Sequence, residues 1–537
     1  MSEYTEAVRA NIDAISELFS QGEPAAFIGA VCGSEGARAF WQRQLDRARE
    51  GFRARDAAAF HEDLPVNQAF GLLLLWQRLK PRLRADEGSL VAFVFGEGSR
   101  ATPLTETECG QKPAILSFAR DPSGRFESTV EVAMRCFSPV ENFLRRSGFR
   151  GVVVKWGDEI QIPTRPLKEP DALFKDADIV RFVSMQRMTD ELAANKDWVG
   201  VSAEQHVTAF IPRRPLEAMR PLAKQGLLQE RDGELWGGVN LGSIGISHAL
   251  LDVLLDEFRD EVNDPNAERK QRPDLDPQLF TALTVAARPD GANRKEAWAH
   301  AVAESPALAQ LDASMPDMVN RLRRALDRFE NTHNRPIRMV AMDFRDQFWG
   351  DIGQHRAMRE LFMSLSSSTE TGEIARALAG VPESTDERGN RIVGNSAIGP
   401  DANVRDSVLI DAQIERGVVA SSVLVGSRCQ ELHADHAFDV QSRATELRLA
   451  ERSGAYRVVS DEAMSAAVGE RITTVFLDEG GQLFRVHEDT DLRDRARNYD
   501  APLDGNPMSF RQAHETVTAT DPELIDVRRH RRERDLA

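Results

Sequence analysis

Residues 90–100 read LVAFVFGEGSR, an apolar run that ends in a loop with two glycines, Gly96 and Gly98. The run has the length and continuous apolar character of a fully buried strand. Glycine lets backbone N–H groups approach phosphate oxygens closely, because it has no Cβ and adopts dihedrals that other residues avoid. A strand that runs into such a loop is typical of an α/β protein with a phosphate site, and Arg100 and Lys112 add positive charge nearby.

The same loop, Gly96 to Ala101, also satisfies G-x-G-x-x-A, the pattern of dinucleotide-binding folds. In those folds a helix begins directly in the loop, and an acidic residue ends a strand about twenty residues later. Residues 102–105 (TPLT) instead indicate a continuing loop, and no clean strand ends in an acidic residue at that distance. The dinucleotide interpretation is therefore an alternative that the wider sequence disfavours.

Strand-like and helix-like segments alternate around this loop, which predicts an α/β sheet with helices on both faces. The predicted strands after the loop lie at 151–155, 199–211, 237–246 and 337–342, and the predicted helices lie at 140–146 and 354–365. We place this α/β domain at residues 89–378, with a helical insertion at about 250–335. Apolar residues at three-to-four spacing, as in Val8, Ile12 and Ile15, predict a helical N-terminal cap over residues 1–88.

The C-terminal part has a different period. Ile392, Ile398 and Val404 are six residues apart, as are Val408 and Ile414. Hexapeptide spacing predicts a short left-handed parallel β-helix at 390–450, with about eighteen residues a coil and roughly two to four coils. A C-terminal extension and polar tail follow at 451–537. His433 and His436 fit either the base of an acyltransferase or ordinary structural histidines, and the short repeat favours the latter, with self-association as the use of the coils.

Composition excludes several classes of protein. The formal charge of -17 over 537 residues argues against a nucleic-acid partner, since such binding depends on basic residues that neutralise phosphates. The longest apolar stretch, residues 70–76, is too short to cross a bilayer, so we expect no membrane partner. Four scattered cysteines without a C-x-x-C pair indicate buried, inert thiols in a reducing compartment, and we expect a cytoplasmic protein.

The wider run at 93–115, FVFGEGSRATPLTETECGQKPAI, resembles the L-A-G-G-x-G-T-R-L-x-P-L-T-x-x-x-x-K-P motif of sugar-1-phosphate nucleotidyltransferases. The matching positions are Gly96, Gly98, Arg100, Pro103, Leu104, Thr105, Lys112 and Pro113, with Ser99 in place of threonine. Phe95 stands where the family has its first glycine, Ala101 replaces a leucine, and the loop is longer before the lysine. The resemblance implies a Rossmann-like, GT-A-like mixed sheet. It further implies that Gly96, Glu97, Gly98 and Ser99 bind the nucleotide, with Arg100 and Lys112 as catalytic residues.

Two aspartates resemble the Mg²⁺ ligands of that family. Asp158 follows the predicted strand at 151–155, where open α/β sheets place their ligands. Asp351 lies in Trp349-Gly350-Asp351-Ile352-Gly353, which resembles the family's W-x-D-V-G segment. Two such carboxylates bridging one Mg²⁺ would neutralise charge on the phosphates. Asp343 and Asp346 are alternatives to Asp351, which we prefer because a helix follows it.

The sugar side is less regular. Arg213-Arg214 stands where relatives carry Glu-Lys, so a carboxylate that takes sugar hydroxyls is missing, which suggests a more anionic substrate. Asn240 and Gly242 match an Asn or Asp two residues before a glycine that faces the sugar in the family. Residues 193–201 (AANKDWVGV) resemble the S-N-H-G-V-F-V pattern of L-fucose-1-phosphate guanylyltransferases, which implies GTP ahead of UTP.

The resemblance therefore implies an enzyme that makes an NDP-sugar and pyrophosphate from an NTP and a sugar 1-phosphate with Mg²⁺. The expected partners are these substrates and further copies of the chain, through the β-helix or the helical regions. An alternative is a non-catalytic nucleotide-sugar sensor or regulatory subunit on the same fold. Phe95 and the missing carboxylate at Arg213-Arg214 motivate that alternative.

Overall fold

A computed structural model describes residues 2–21, 25–62, 68–94, 96–263, 316–477 and 480–518, and isolated residues within 283–313 and 524–535. Fourteen strands are described before residue 380. They are β1 Phe27–Cys32, β2 Asp56–His61, β3 Ser89–Phe93, β4 Leu116–Arg120, β5 Phe126–Ser128, β6 Gly151–Trp156, β7 Glu159–Pro163, β8 Ile179–Arg187, β9 Trp198–Val201, β10 Val207–Ile211, β11 Gln229–Arg231, β12 Glu234–Ser247, β13 Met339–Asp343 and β14 Gln347–Asp351.

Ten of these strands form one mixed sheet that is rich in parallel pairs. Strands β2, β1, β3 and β6 lie side by side and run parallel. The long strand β12 is antiparallel to β6, β8 and β9, and β13 pairs with β8 in parallel. The parallel strands end at a common edge, and β7 and β14 form a separate antiparallel ribbon.

Helices cover both faces of the sheet, as the alternating pattern predicted. The described helices are α1 Glu3–Gln21, α2 Glu35–Phe52, α3 Gln68–Leu79, α4 Leu104–Thr107, α5 Thr129–Arg146, α6 Asp190–Asn195, α7 Leu216–Lys224, α8 His248–Glu257, α9 Arg259–Asn263, α10 Pro316–His333, α11 His355–Ser364, α12 Glu370–Ala379, α13 Arg495–Asn498 and α14 Phe510–Val517. Leu72 of α3, Leu250 of α8 and Leu326 of α10 pack on one face. Trp41 of α2 and Phe137 of α5 pack on the other. The described parts of the predicted insertion at 250–335 are helical, and its remainder lies outside the described residues.

The prediction of an all-helical cap over residues 1–88 is wrong. Helix α1 has the predicted inward face, with Val8 and Ile15 buried, but β1 and β2 follow and join the main sheet next to β3. Both strands are short and apolar, and β2 is rich in alanine. Such runs have no period that separates a buried strand from a helix, and sheet pairing overrides the helical preference of alanine. The sheet therefore begins at β1, before the predicted domain boundary at residue 89.

The C-terminal part consists of two stacked parallel sheets. Its strands are β15 Arg391–Val393, β16 Ala397–Arg405, β17 Val408–Ile410, β18 Gln413–Ala420, β19 Val423–Val425, β20 Arg428–Asp435, β21 Phe438–Val440, β22 Arg443–Leu449, β23 Gly454–Tyr456, β24 Val459–Ala466, β25 Glu470–Leu477 and β26 Gly480–His487. Odd-numbered strands β15 to β25 form one sheet, even-numbered strands β16 to β24 form the other, and β26 closes the first sheet antiparallel to β25.

The stacking corrects the predicted period and bounds. Val408 lies opposite Val423, and Val423 opposite Phe438, so these successive turns are 15 residues apart, and the turns at either end are 16 or 17 residues apart, rather than eighteen. Parallel pairing also continues past residue 450, as far as β25. Ile392, predicted to point inward, is 40% exposed. It pairs with the fully buried Leu409, and β15 is the end strand of its sheet, so no further strand covers Ile392.

The C-terminal extension packs against the rest of the chain over its described part. Phe510 and Val517 of α14 are buried in a core with strands β25 and β26, and α14 contacts α4, directly after the glycine loop. Most of the predicted polar tail after residue 518 lies outside the described residues. Within the described part of the chain, no helix has the length and apolar character needed to span a membrane. All four cysteines are free and buried, as predicted.

Candidate functional site

Strands β3 and β6 end side by side at the sheet edge where the glycine loop begins. Their parallel pairing continues into a hydrogen bond from Gly157 N–H to Phe93 O at 3.3 Å. Gly96 and Gly98 follow β3 with φ values of 103° and 63°, in the region that favours glycine. Phe95, which the family resemblance singles out, lies outside the described residues. Open α/β sheets bind their ligands beyond the carboxyl ends of their strands, so this edge is the candidate ligand site.

Lys112 connects the glycine loop to Asp158. A Cβ at Gly98 would lie 2.7 Å from Lys112 Cβ, so the loop and the lysine are in close contact. Lys112 Nζ donates to Asp158 Oδ2 at 2.5 Å, and the lysine side chain is only 11% exposed. Burial acts to raise the pKa of Asp158, but the charge and hydrogen bond of Lys112 outweigh it and lower that pKa. Asp158 is therefore ionised and paired at neutral pH.

Asp351 is the second carboxylate near Lys112. It ends β14, and its Oδ1 accepts a hydrogen bond from Gly353 N–H at 2.6 Å. A Cβ at Gly353 would lie 2.8 Å from Asp351 Oδ1 and would overlap Lys112 Nζ. The structure thus brings Lys112, Asp158 and Asp351 together, although they come from three separate parts of the chain.

The two alternatives to Asp351 have other contacts. Asp343 Oδ1 accepts hydrogen bonds from Met185 N–H at 3.0 Å and Arg345 N–H at 2.7 Å, which hold the turn after β13. Asp346 contributes its carbonyl oxygen to Thr164. Of the three aspartates, Asp351 is the one that the described contacts place beside Lys112.

Two charged residues of this site were not predicted from the sequence. Glu159 lies directly opposite Asp351 in the β7–β14 ribbon, and burial raises its pKa. Lys155 of β6 is fully buried, with Nζ 3.9 Å from Glu159 Oε2 and 5.6 Å from the centre of the Phe137 ring. Lys155 Nζ makes no hydrogen bond, and burial lowers its pKa. In EIQIP both isoleucines are buried, so the alternation of a strand could have placed Glu159 on the opposite, polar face. Lys155 ends the apolar run GVVVK, and that pattern gave no indication of a charged site residue.

The β7–β14 ribbon has one apolar and one polar face. Phe348, Ile160 and Ile162 are buried in the core, so Trp349, two residues before Asp351, shares the opposite face with it. Trp349 is 49% exposed, and Lys196 Nζ lies 5.3 Å from the centre of its ring. The polar face therefore presents an aromatic surface beside the carboxylates.

Asn240 and Gly242 lie at a bulge in β12, next to β6. Asn240 Oδ1 accepts from Arg181 Nη2 at 2.7 Å and from Gly242 N–H at 3.2 Å. Gly242 has a φ of 77°, and a Cβ there would overlap Trp156 Nε1, so its place against the indole requires glycine. Trp156 is two residues before Asp158 in the chain, so β6 and the segment after it connect the Asn240 turn to the first carboxylate. Arg214 Nε donates at 3.4 Å to Pro212 O within its own loop, and no described contact joins it to Lys112.

The remaining loop residues have contacts of their own. Ser99 and Arg100 lie in a short 3₁₀ turn, and Arg100 is exposed. A long helix does not begin there, in contrast to dinucleotide-binding folds; the next described helix, α4, has four residues. Glu97 forms an ion pair with Arg495 of α13 at 2.5 Å. The C-terminal extension therefore reaches the glycine loop.

No family model and no curated protein matches this chain. Its function must accordingly be inferred from the site, by the chemistry of the side chains that converge there.

His355 joins the Asp351 segment to the glycine loop. Its Nε2 lies 2.7 Å from Thr102 O, and a carbonyl only accepts, so Nε2 carries the proton. The ring is buried, which lowers the pKa of His355 to about 4. The folded protein therefore holds this histidine neutral, whereas the unfolded chain binds a proton below a pH of about 6.5.

Acid should consequently destabilise the fold through His355. Stability is lost as the pH falls from about 6.5 towards about 4, and this group alone should lower the unfolding free energy by about 2 kcal/mol at about pH 5. His355→Gln keeps a donor for Thr102 O but does not titrate. Urea unfolding of both proteins at about pH 7.5 and about pH 5 should show the smaller pH dependence for the variant; equal dependence would contradict this role of His355.

Proposed function

We propose that this protein transfers a nucleotidyl group from an NTP to a sugar 1-phosphate, giving an NDP-sugar and pyrophosphate. The observation that carries the proposal is the place of Lys112, which pairs with Asp158, lies against Gly98 of the glycine loop, and meets the Asp351 segment at Gly353. A cation beside two carboxylates and a glycine loop, at the carboxyl edge of parallel strands, suits a reaction in which two phosphates must meet.

Each of these residues would have a defined task. The backbone of Gly96, Gly98 and Ser99 would take the triphosphate, because glycine leaves the N–H groups accessible. Lys112 and Arg100 would offset the negative charge of the phosphates, and the turn with Asn240 and Gly242 would face the sugar. A phosphate oxygen of the sugar 1-phosphate would attack the α-phosphorus, and the bond from that phosphorus to the bridging oxygen would break, so that pyrophosphate leaves with the electron pair. No covalent bond to the protein is needed.

Asp158 and Asp351 are suited to Mg²⁺. Magnesium is bound in proteins through one or two carboxylates, with phosphates and water as further ligands. Among the described residues no three His, Cys, Asp or Glu side chains converge as a metal site, so phosphate oxygens and water would have to complete the coordination. Asp158 and Asp351 would hold the ion, whose charge supplies electrostatic stabilisation of the phosphates.

The finer architecture is part of the proposal. The parallel strands β2-β1-β3-β6 with antiparallel β12 support a Rossmann-like, GT-A-like core. The regular parallel stacking of strands β15 to β25, 15 to 17 residues apart, supports a parallel β-helix, and we propose that it is left-handed, as hexapeptide repeats typically are. Ile392 at the uncovered end of the stack is a candidate contact between copies of the chain. Four buried free thiols suit a cytoplasmic location.

The test is a screen of substrate pairs. The protein and Mg²⁺ are incubated with each of ATP, CTP, GTP, UTP and dTTP, combined with a panel of sugar 1-phosphates, and pyrophosphate is measured. We expect release with at least one pair, with GTP tried first, and dependence on both substrates and on Mg²⁺. Binding of an NDP-sugar without turnover of any pair would instead support the non-catalytic sensor.

A further inference from the structure

Arg181 is a buried cation for which the described part of the chain supplies no carboxylate. It lies on β8, is 2% exposed, and has Ile179 and Val183, both core residues, two positions away on the same face of the strand. Its Nη2 donates to Asn240, but Nε and Nη1 are buried without any hydrogen bond. Burial lowers the pKa of Arg181 to about 10, with no charged group among the causes.

An unpaired buried guanidinium is costly, and replacing a buried charge by an apolar side chain is often neutral or stabilising. Arg181 is therefore poorly explained as a structural residue. Its one partner, Asn240, is only partly buried and belongs to the turn that contacts Trp156. The unsatisfied donors of Arg181 thus lie directly beneath the turn that the proposed function assigns to the sugar.

The amide of Asn240 is oriented by its two donors. Arg181 Nη2 and Gly242 N–H both donate to Oδ1, which leaves the Nδ2 amino group as the part available to a ligand. A ligand atom at this position must accept hydrogen bonds. Both groups of the subsite, the amide and the guanidinium beneath it, therefore offer only donors.

The surroundings of Asn240 are also rich in cations. Lys196 and Arg213 lie in the neighbouring segments, and Asn240 N–H donates to the carbonyl oxygen of Asp197, whose carboxylate pairs with Arg213 at 3.2 Å. Arg213 is offset by Asp197, so Lys196 and Arg181 supply the positive charge here that no described carboxylate pairs with, in a protein with a formal charge of -17. Such a local reversal of sign favours an anionic ligand.

We propose that Arg181 makes this subsite select an anionic oxygen on the sugar substrate, with Arg181 acting partly as the positioning residue of Asn240. The proposal rests on the proposed function, since it assigns the Asn240 turn to the sugar. The anionic oxygen has two chemical sources, a ring carboxylate of an acidic sugar or the 1-phosphate itself.

The experiment measures binding by calorimetry with Mg²⁺ present. The ligands are GTP and UTP alone, and pairs of sugar 1-phosphates that differ in a ring carboxylate: glucose with glucuronic acid, and galactose with galacturonic acid. The proteins are wild type, Arg181→Met, and Arg187→Met as the control, since Arg187 lies on the same strand but is exposed and paired with Glu234. Thermal unfolding is recorded for all three.

For a carboxylate, wild type should bind the acidic member of a pair roughly tenfold or more tightly, and Arg181→Met should lose that preference. For the 1-phosphate, Arg181→Met should weaken every sugar 1-phosphate by a similar factor and leave nucleotide binding unchanged. In both cases the unfolding temperature of Arg181→Met should equal or exceed that of wild type, and Arg187→Met should keep the wild-type affinities.

Two results would overturn the inference alone. In the first, nucleotide binds, no pair of sugar 1-phosphates shows a preference for either member, and Arg181→Met changes no affinity. In the second, nucleotide binds but no sugar 1-phosphate does. Should Arg181→Met fail to fold, Arg181 is structural and the inference is likewise overturned. Absence of nucleotide binding in wild type would instead contradict the proposed function, so the two failures are distinguishable.

Discussion

Asp158→Asn should reduce pyrophosphate release by about 10³-fold, close to background. Asparagine has the same shape but no charge, so it neither pairs with Lys112 nor provides an anionic ligand for Mg²⁺. The Asp158 side chain lies at the sheet edge, where it is 28% exposed, and not in the core. The unfolding temperature should therefore stay within about 4 °C of wild type, and turnover should be measured at saturating substrates and Mg²⁺.

The matched comparison is Asp346→Asn, in the turn before β14. The backbone carbonyl of Asp346 accepts a hydrogen bond from the Thr164 hydroxyl, and no described contact places the Asp346 side chain beside Lys112. Asp346→Asn should therefore retain its activity. Turnover that survives in Asp158→Asn, or is lost in Asp346→Asn while Asp351→Asn remains active, would refute the assignment of the two carboxylates.

Lys112→Met should reduce turnover by about 10²-fold to 10³-fold. Methionine fills a similar volume, so the contact with Gly98 is kept while the charge that meets Asp158 and the phosphates is lost. Loss of the ammonium group should also raise the pKa of Asp158, because Lys112 is the main cause that lowers it. The measurements are kcat and KM for both substrates, and the Asp158 pKa from NMR titration of the protein labelled at aspartate.

The control for this variant is Lys168→Met, which removes an exposed lysine far along the chain from the glycine loop. It should leave kcat and KM unchanged. If Lys112→Met turned over at the wild-type rate, the proposed role of Lys112 would be wrong, and the Lys112–Asp158 pair would be a structural contact.

The elements predicted best are those with an unambiguous local pattern. The run LVAFV, flanked by a glycine loop, gave β3, and GVVVK gave most of β6. Strands β1 and β2 were missed because alanine-rich or fully apolar runs carry no period. Their identity depends on pairing that the local sequence does not show, of β2 with β1 and of β1 with the distant β3. The period was misjudged because it was inferred from six-residue spacings within two short runs, at 392–404 and 408–414, and Ile392 of the first run proved to be exposed.

The site was partly predictable for a similar reason. Asp158 follows β6, so its place at the sheet edge could be predicted from local sequence. Asp351 is the last residue of the separate strand β14 and was proposed from the family resemblance and the helix that follows it. Glu159 and Lys155 could not be assigned, since their proximity depends on the pairing of β7 with β14 and on the packing of α5. Arg181 could not be predicted from the sequence for a further reason. Only the structure reveals that a lone arginine within an apolar strand has no carboxylate partner among the described residues.

The contact of Arg495 with Glu97 is likewise a product of tertiary structure. The two residues are almost 400 positions apart, and the sequence alone suggested a polar C-terminal extension. The packing of α14 against α4 places the end of the described chain next to the glycine loop. The C-terminal extension is therefore a part of the site's surroundings and should be kept in every protein that is assayed.

The most direct test of nucleotidyl transfer follows the phosphates. A substrate pair that is active in the screen is repeated with the NTP labelled at its γ-phosphate, and the labelled product and the NDP-sugar are quantified together. We predict one labelled pyrophosphate for each NDP-sugar formed, with both absent in Asp158→Asn. Label recovered as orthophosphate, or no product with any pair while an NDP-sugar binds, would contradict the account.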